Sequence, residues 1–449
     1  MTETPPSARA SRTHWNSRIG FILAAAGSAI GLGAIWKFPY VASKNGGGAF
    51  LLVFIGFTFT LGIVLMMAEM AVGRASNSSP VGAYRRLGGK HWRTVGYMGV
   101  LAGFLILSFY SVVGGWTLAY VVKAASGSVI HDNPKLLDQI FSAFITAPIE
   151  PILYHALFMA LTATVVLFGV QKGIENLSKF LMPALFIIML VLIARSLTLP
   201  GALNGLTYFL TPDFSKITGG VIISALGLSF FTLSLGMGAM ITYGSYVGEE
   251  TSIPGAAAWV VGLTTLTCVL AGFMVLPAVF AFGFDPAAGP GLTFITMPAI
   301  FSKMVGGQWF AVAFFFLLLV AALTSSVSLM EVVTSFLIDE FGVARIPATV
   351  VMAVLMFALG IPASLSLGIW SDYTFFGKGI FDLLDYSTEK ILMPIGGVMV
   401  SVLVGWKVWH QIHDELHHRG MPLRGIGAIR FACRYVAPIL VTCVLFYNL

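Results

Sequence analysis

Two short runs combine glycine with hydroxyl-bearing residues deep inside apolar stretches. They are Gly27-Ser28-Ala29-Ile30-Gly31-Leu32-Gly33 and Thr232-Leu233-Ser234-Leu235-Gly236-Met237-Gly238. Each interior glycine weakens a helix by about 1 kcal/mol relative to alanine. A helix that breaks there bares carbonyl oxygens to a cation and a helix N-terminus to an anion. Close packing through small residues would explain one such run. The two runs, however, fall in the first apolar segment of each half of the chain. Interrupted segments at matching positions point to a carrier site at the membrane midplane, because irregular backbone persists at that depth only where a cavity or ligand satisfies it. Thr324 and Ser325 add adjacent hydroxyls in a third apolar stretch. Alone they would bond back to their own helix; beside a glycine break they read as ligands for a hard cation. Lys37, Glu69, Glu331, Asp382 and Asp385 are ionisable residues inside apolar segments, which makes them functional candidates by default. For Lys37 the alternative is snorkelling to the interface.

The elements that must position these residues are membrane spans. Of 449 residues, 57% are hydrophobic and 10% charged, against about 25% charged in a soluble domain. Apolar runs long enough to cross roughly 30 Å of hydrocarbon follow one another. Eleven are expected, at 17–42, 47–73, 95–124, 151–170, 174–197, 218–244, 256–283, 307–338, 346–368, 380–407 and 427–447. Loops are expected at 74–94, 125–150, 198–217, 284–306 and 408–426, the last rich in His and Arg. Residues 1–16 read as a polar, basic tail, with no cleavage site after the first long apolar stretch and so no signal peptide.

The net charge of +6 would suggest nucleic acid in a soluble chain; here it sits in short loops and sets orientation instead. Arg9, Arg12 and Arg18, then Arg74, Arg85, Arg86, Lys90 and Arg93, then Lys172 and Lys179, then Arg419, Arg424 and Arg430 all share one side if the spans alternate. That side is the cytoplasm, which puts the N-terminus inside and, with an odd span count, the C-terminus outside. Cys268, Cys433 and Cys443 have no metal spacing and are expected to be small core residues. No P-loop, zinc spacing or nucleophile elbow argues for an enzyme.

The chain resembles the neurotransmitter:sodium symporter family, in its bacterial amino-acid branch. The residues that carry the resemblance are HWNSRIGFILAAAGSAIGLGAIWKFPYVASKNGGGAF at 14–50, SFYSVVGGW at 108–116, SFFTLSLGMGAMITYGSYV at 229–247, FITMPAIFS at 294–302 and AALTSSVSLMEVV at 321–333. The likeness runs in order through essentially the whole chain. It implies an all-α polytopic membrane protein with a five-plus-five inverted-repeat fold, broken helices 1 and 6, and eleven transmembrane helices. The tail would be 1–16, the first repeat 17–197, the second 218–407 and helix 11 427–447. It also implies a bacterial inner membrane location and alternating access.

The resemblance assigns roles residue by residue. The second sodium site of the family maps to the carbonyls of Gly27, Ile30 and Ala321 and the hydroxyls of Thr324 and Ser325. The first sodium site departs from the pattern. Ala29 and Thr232 fit it, but Ala34 and a position near Leu263 stand where the family has asparagines; Thr264 or Thr265 would partly compensate if the register differs. One sodium per substrate is therefore expected. Chloride ligands map to Phe54, Leu228 and Thr267, of which only Thr267 offers a hydroxyl, so chloride independence is expected.

Gly31 stands where monoamine carriers of the family place an Asp, which favours a substrate that brings its own carboxylate. That carboxylate would meet N–H groups near Gly31 and Gly33 and the hydroxyl of Tyr110, and the amine would meet carbonyls of the unwound segments and Ser234. Ile106, Phe231, Met237, Ser325 and Leu329, with Ser28, Ala29 and Thr232 also expected at the substrate, would form an uncharged side-chain subsite that disfavours acidic and basic side chains. A neutral, aliphatic or moderately bulky amino acid fits. The outer gate would pair Lys37 with Asp385, Asp382 one turn before, under a Phe231 lid. Lys at this place lacks the fork of the family's Arg. The inner gate would use Arg12, Asp339 and Tyr246, with Trp15 packed against the closed face. Glu69 and Glu331 are expected to cap or pair buried groups. A sensor or channel with the same pocket, or a sodium-independent or proton-coupled carrier, would share these features.

Overall fold

The computed structural model describes residues 13–286, 291–417 and 425–448. It is helical throughout, and the described residues form no strand beyond two isolated bridges. Among the described residues nine helices are long and apolar enough to span a bilayer: α2 Gly48–Ser76, α3 Lys90–Ala125, α4 Glu150–Leu167, α5 Val170–Leu197, α7 Ile253–Ala281, α8 Gly307–Phe341, α9 Arg345–Leu365, α10 Ile380–Lys407 and α11 Ile426–Tyr447. A tenth, α1, is a broken pair, Arg18–Ala29 and Gly33–Lys44, bent by 53°. The remaining expected span, α6, is split into Gly219–Thr232 and Ala239–Gly244, each piece too short to cross alone.

Local chemistry explains these ends. Ser17, Thr218 and Ser252 each accept a hydrogen bond from the N–H three residues on, capping α1, α6 and α7. Proline opens α7 at a position that needs no donor. The expected loops are not unstructured. They hold short helices at Pro80–Gly88, Pro134–Thr146, Ala202–Leu210 and Trp409–Leu416. Their apolar periodicity is too brief to register as a span.

The two broken helices sit inside the bundle. The first half of α1 packs on α5, α7 and α8, and the second half of α6 packs on α2 and α8. Large side chains such as Phe180, Leu203, Ile187 and Val354 are exposed, the pattern of a chain whose outer face meets lipid. Cys268 and Cys433 are buried as expected, and none of the three cysteines is bridged. Cys443 differs: it is exposed, because its place on α11 turns it away from the bundle.

Candidate functional site

In α1 the helix stops at Ala29 and resumes at Gly33. The gap is narrower than the glycine run that signals it. Gly31 is required there by close approach: a Cβ would lie 2.4 Å from the Ser325 hydroxyl oxygen. In α6 the gap runs from Leu233 to Gly238. Ser234, Gly236 and Gly238 take φ of 54°, 82° and 80°, the left-handed region that a helix cannot continue through. One oxygen of the Glu69 carboxylate, buried in α2, accepts the freed N–H of Gly236 at 2.7 Å. Glu69 thus caps the broken backbone.

Hydroxyl groups stitch the two gaps together. The Ser28 carbonyl accepts from Ser234 Oγ at 3.0 Å and from Ser325 Oγ at 2.9 Å, which joins α1, α6 and α8 at one oxygen. Ser325 Oγ also lies 3.2 Å from the Gly27 carbonyl. The Leu32 N–H donates to the Tyr110 hydroxyl at 3.3 Å. A cavity of about 40 Å³ lies at this junction. Ser28, Ala29, Gly31, Gly33, Ile106, Tyr110, Phe231, Ser234, Met237, Ser325 and Leu329 line it, all of them expected from the sequence. Leu32 and Ser328 also line it. Ser328 sits one turn beyond Ser325 on the same face of α8 and accepts from Ser28 Oγ at 2.7 Å; the i, i+3 spacing was a signal that could have found it. Thr232 is a correction. Its hydroxyl bonds back to Leu228 and Ser229, and it does not line the cavity. No charged side chain is among the lining residues.

The oxygens mapped to a sodium position draw together only in part. Thr324 Oγ1 lies 3.1 Å from the Ala321 carbonyl and 3.2 Å from that of Val320, so it bonds back to its own helix, while Ser325 reaches across to α1. The set is neutral oxygen, which suits a hard monovalent cation, and a Cβ at Gly27 would lie 3.2 Å from Thr324 Cβ, so the two helices touch here. At the other mapped position Thr264 and Thr265 bond back to Val260 and Val261, and Thr267 bonds back to Leu263. Phe54 and Leu228 are buried apolar residues.

A second cavity, of about 270 Å³, lies beyond Phe231, and Phe231 lines both. The Lys37 ammonium sits 4.5 Å from the centre of the Phe231 ring and contacts both oxygens of Glu389. This corrects the expected Lys37–Asp385 pair: the salt bridge goes to Glu389, one turn later on α10. Glu389 lies within a π-helical stretch, Tyr386–Leu392, and Asp385 just before it. At the opposite end, Trp15 donates from its ring N–H to the Tyr243 carbonyl and from its backbone to the Tyr246 carbonyl, both at 3.1 Å. Its ring packs against Tyr243, Tyr246 and Phe21. Asp339 accepts from the Ser79 N–H at 2.6 Å. Arg12 lies outside the described residues. The Tyr246 hydroxyl donates to Glu331 at 2.6 Å, and Glu331 makes a two-pronged pair with Arg345. Tyr246 is thus tied to a pair between buried Glu331 and half-buried Arg345 that the sequence did not disclose, because Arg345 lies at the start of another helix.

Comparison with known proteins agrees with this geometry. The chain is 44% identical over 395 residues to an uncharacterised sodium-dependent transporter of Bacillus subtilis, covering 88% of each. It is 32% identical to one of Methanocaldococcus jannaschii, covering 97% of this chain and 90% of that one. The crystal structure of MhsT in complex with L-phenylalanine superposes with a TM-score of 0.90 at 42% identity, covering 98% of this chain and all of that one. Residues 12–133 and 149–449 match the sodium:neurotransmitter symporter family, so the chain belongs to that family and is a sodium-dependent transporter, not an enzyme.

Proposed function

We propose that the protein is a symporter that moves a neutral amino acid with one sodium ion by alternating access, without chloride. The observation that carries the reading is the Ser28 carbonyl, which receives hydroxyls from both other helices at the junction of the two gaps. A ligand seated there touches α1, α6 and α8 at once. Its binding free energy would differ between states in which those helices part, and only such a difference can shift a conformational equilibrium. The zwitterion would place its carboxylate near the N–H groups of Gly31 and Gly33 and the Tyr110 hydroxyl. Its amine would face the exposed carbonyls and Ser234. The uncharged lining around Ile106, Met237 and Leu329 supports a neutral side chain, and the phenylalanine complex of MhsT supports an amino acid. Sodium would use the carbonyls of Gly27, Ile30 and Ala321 with Thr324 and Ser325.

Phe231 would be the lid, held by the Lys37–Glu389 pair. Trp15, Tyr246, Asp339 and Arg12 would close the other end. The two breaks would belong to repeats 17–197 and 218–407, followed by helix 427–447. The basic loops would face the cytoplasm of a bacterial cell, and inward sodium movement would gain about 2.3 kcal/mol per charge per 100 mV. A thermal-shift screen of the twenty amino acids with and without sodium tests the reading. Stabilisation by neutral amino acids only in sodium is the expected result. Equal stabilisation in potassium, or none by any amino acid, would overturn it.

A further inference from the structure

We propose that His413 and His417 form a two-imidazole clamp for a borderline-soft divalent cation such as Zn2+. They sit on and just after the short helix Trp409–Leu416, between α10 and α11, far in sequence from every residue assigned to substrate or sodium. Residues four apart lie on one helix face, one turn from each other. The two rings stand 4.2 Å apart at 51°.

The tautomer follows from the partners. Nδ1 of His417 lies 2.7 Å from the His413 carbonyl oxygen, and Nδ1 of His413 lies 3.3 Å from a carboxylate oxygen of Asp414. Both partners only accept, so in each ring Nδ1 carries the proton. In a neutral imidazole the other nitrogen, Nε2, is then left with a free lone pair. A carboxylate or backbone carbonyl on the non-ligating nitrogen is the usual outer arrangement of metal-bound histidines, where it fixes the ring and raises its basicity. Both rings are half-buried, and the Trp409 ring packs on His413 at 6.2 Å.

The helix itself is anchored. Glu415 accepts from Arg74 at the end of α2, and Arg74 also donates to the Thr251 carbonyl at 2.6 Å. Among the described residues no three His, Cys, Asp or Glu side chains stand as a metal cluster. The protein therefore supplies two ligands, and water would complete the shell. Imidazole selects zinc, copper or nickel over magnesium and calcium. A cation there would fasten the last helical turn to the residue that follows it, close to the Arg74–Glu415 contact.

The test is calorimetric titration of Zn2+ into full-length protein without a polyhistidine tag, near neutral pH. A saturable site is expected in the wild type, with Mg2+ giving none. His413→Gln and His417→Gln should each weaken Zn2+ by about ten-fold or more, while sodium-dependent ligand stabilisation stays unchanged and reports a folded protein. Should either variant fail to fold, Asp414→Ala, at a carboxylate 84% exposed, should still weaken Zn2+ by about ten-fold. No saturable Zn2+ binding by the wild type, or wild-type affinity in folded His413→Gln and His417→Gln, would overturn the proposal.

Discussion

The two regions that the resemblance maps to sodium differ in their hydrogen bonding in this chain. Near Gly27, hydroxyls cross between helices: Ser325 on α8 reaches the carbonyls of Gly27 and Ser28 on α1, Ser234 on α6 reaches that of Ser28, and the Ser28 hydroxyl donates to Ser328. Near Ala34 and Leu263, the mapped threonines do not reach across. Thr232, Thr264 and Thr265 each bond back to carbonyls of their own helix. A threonine bonded to the carbonyl four residues back fills one acceptor inside its own helix. A cation that links two helices needs oxygens from both. The comparison teaches that counting hydroxyls along a span is a poor guide; what matters is whether the backbone opposite is open to receive them, and it is open only at the breaks.

The strongest way to break the comparison is at Ser325. Its hydroxyl touches two α1 carbonyls and also lines the cavity, so Ser325→Ala would remove a contact to both proposed ligands. Losing a hydrogen bond to a charged group costs about 1.5–3 kcal/mol. The sodium concentration for half-maximal amino-acid binding should therefore rise by at least about ten-fold, as read by sodium titration of binding in proteoliposomes. An unchanged sodium dependence would remove Ser325 from the ion site. Next in size is Tyr110→Phe. It keeps the ring and loses the hydroxyl that accepts from Leu32. Amino-acid affinity should fall by about ten-fold while sodium dependence persists. If sodium dependence fell instead, the carboxylate assignment would be wrong.

The sequence made the helical architecture and the cavity legible for one reason. Glycine runs at matching places in the two halves are more than helix packing through small residues requires, so Gly31, Gly236 and Gly238 mark the openings, and the resemblance supplied the residues around them. The gate acid was not legible. Asp385 and Glu389 stand four residues apart, one turn from each other, and their spacing alone does not say which of them meets Lys37. The Glu331–Arg345 pair was hidden for a different reason: its two residues lie on successive helices, and packing between helices is not written in either one. Thr232 came with the resemblance, which carries a residue's type and place but not the rotamer of its hydroxyl, here turned back into α6.

Smaller effects sharpen the contrast. Thr264→Val and Thr265→Val delete hydroxyls that bond to their own helix. Each should change sodium affinity by less than about two-fold, since the hydroxyl bonds only to a carbonyl of its own helix, which keeps its helical N–H donor. The ratio of sodium to amino acid taken up, measured from dual-isotope flux, should stay at one; a ratio of two in the wild type would mean that a second ion is held without the family's asparagines.

The smallest expected effect is that of chloride. A dehydrated anion among these helices needs several donors, because the penalty for removing an ion from water is several kcal/mol even after relaxation. Phe54 and Leu228 offer none and are buried, and the Thr267 hydroxyl already donates to the Leu263 carbonyl. Turning that hydroxyl toward an anion would leave a single donor against the full desolvation penalty. Replacing chloride by gluconate should therefore leave uptake within about two-fold at saturating sodium. A steep loss would mean that donors from elsewhere close around an anion when the carrier turns over, and that the divergence of the first ion position is made good by charge rather than lost.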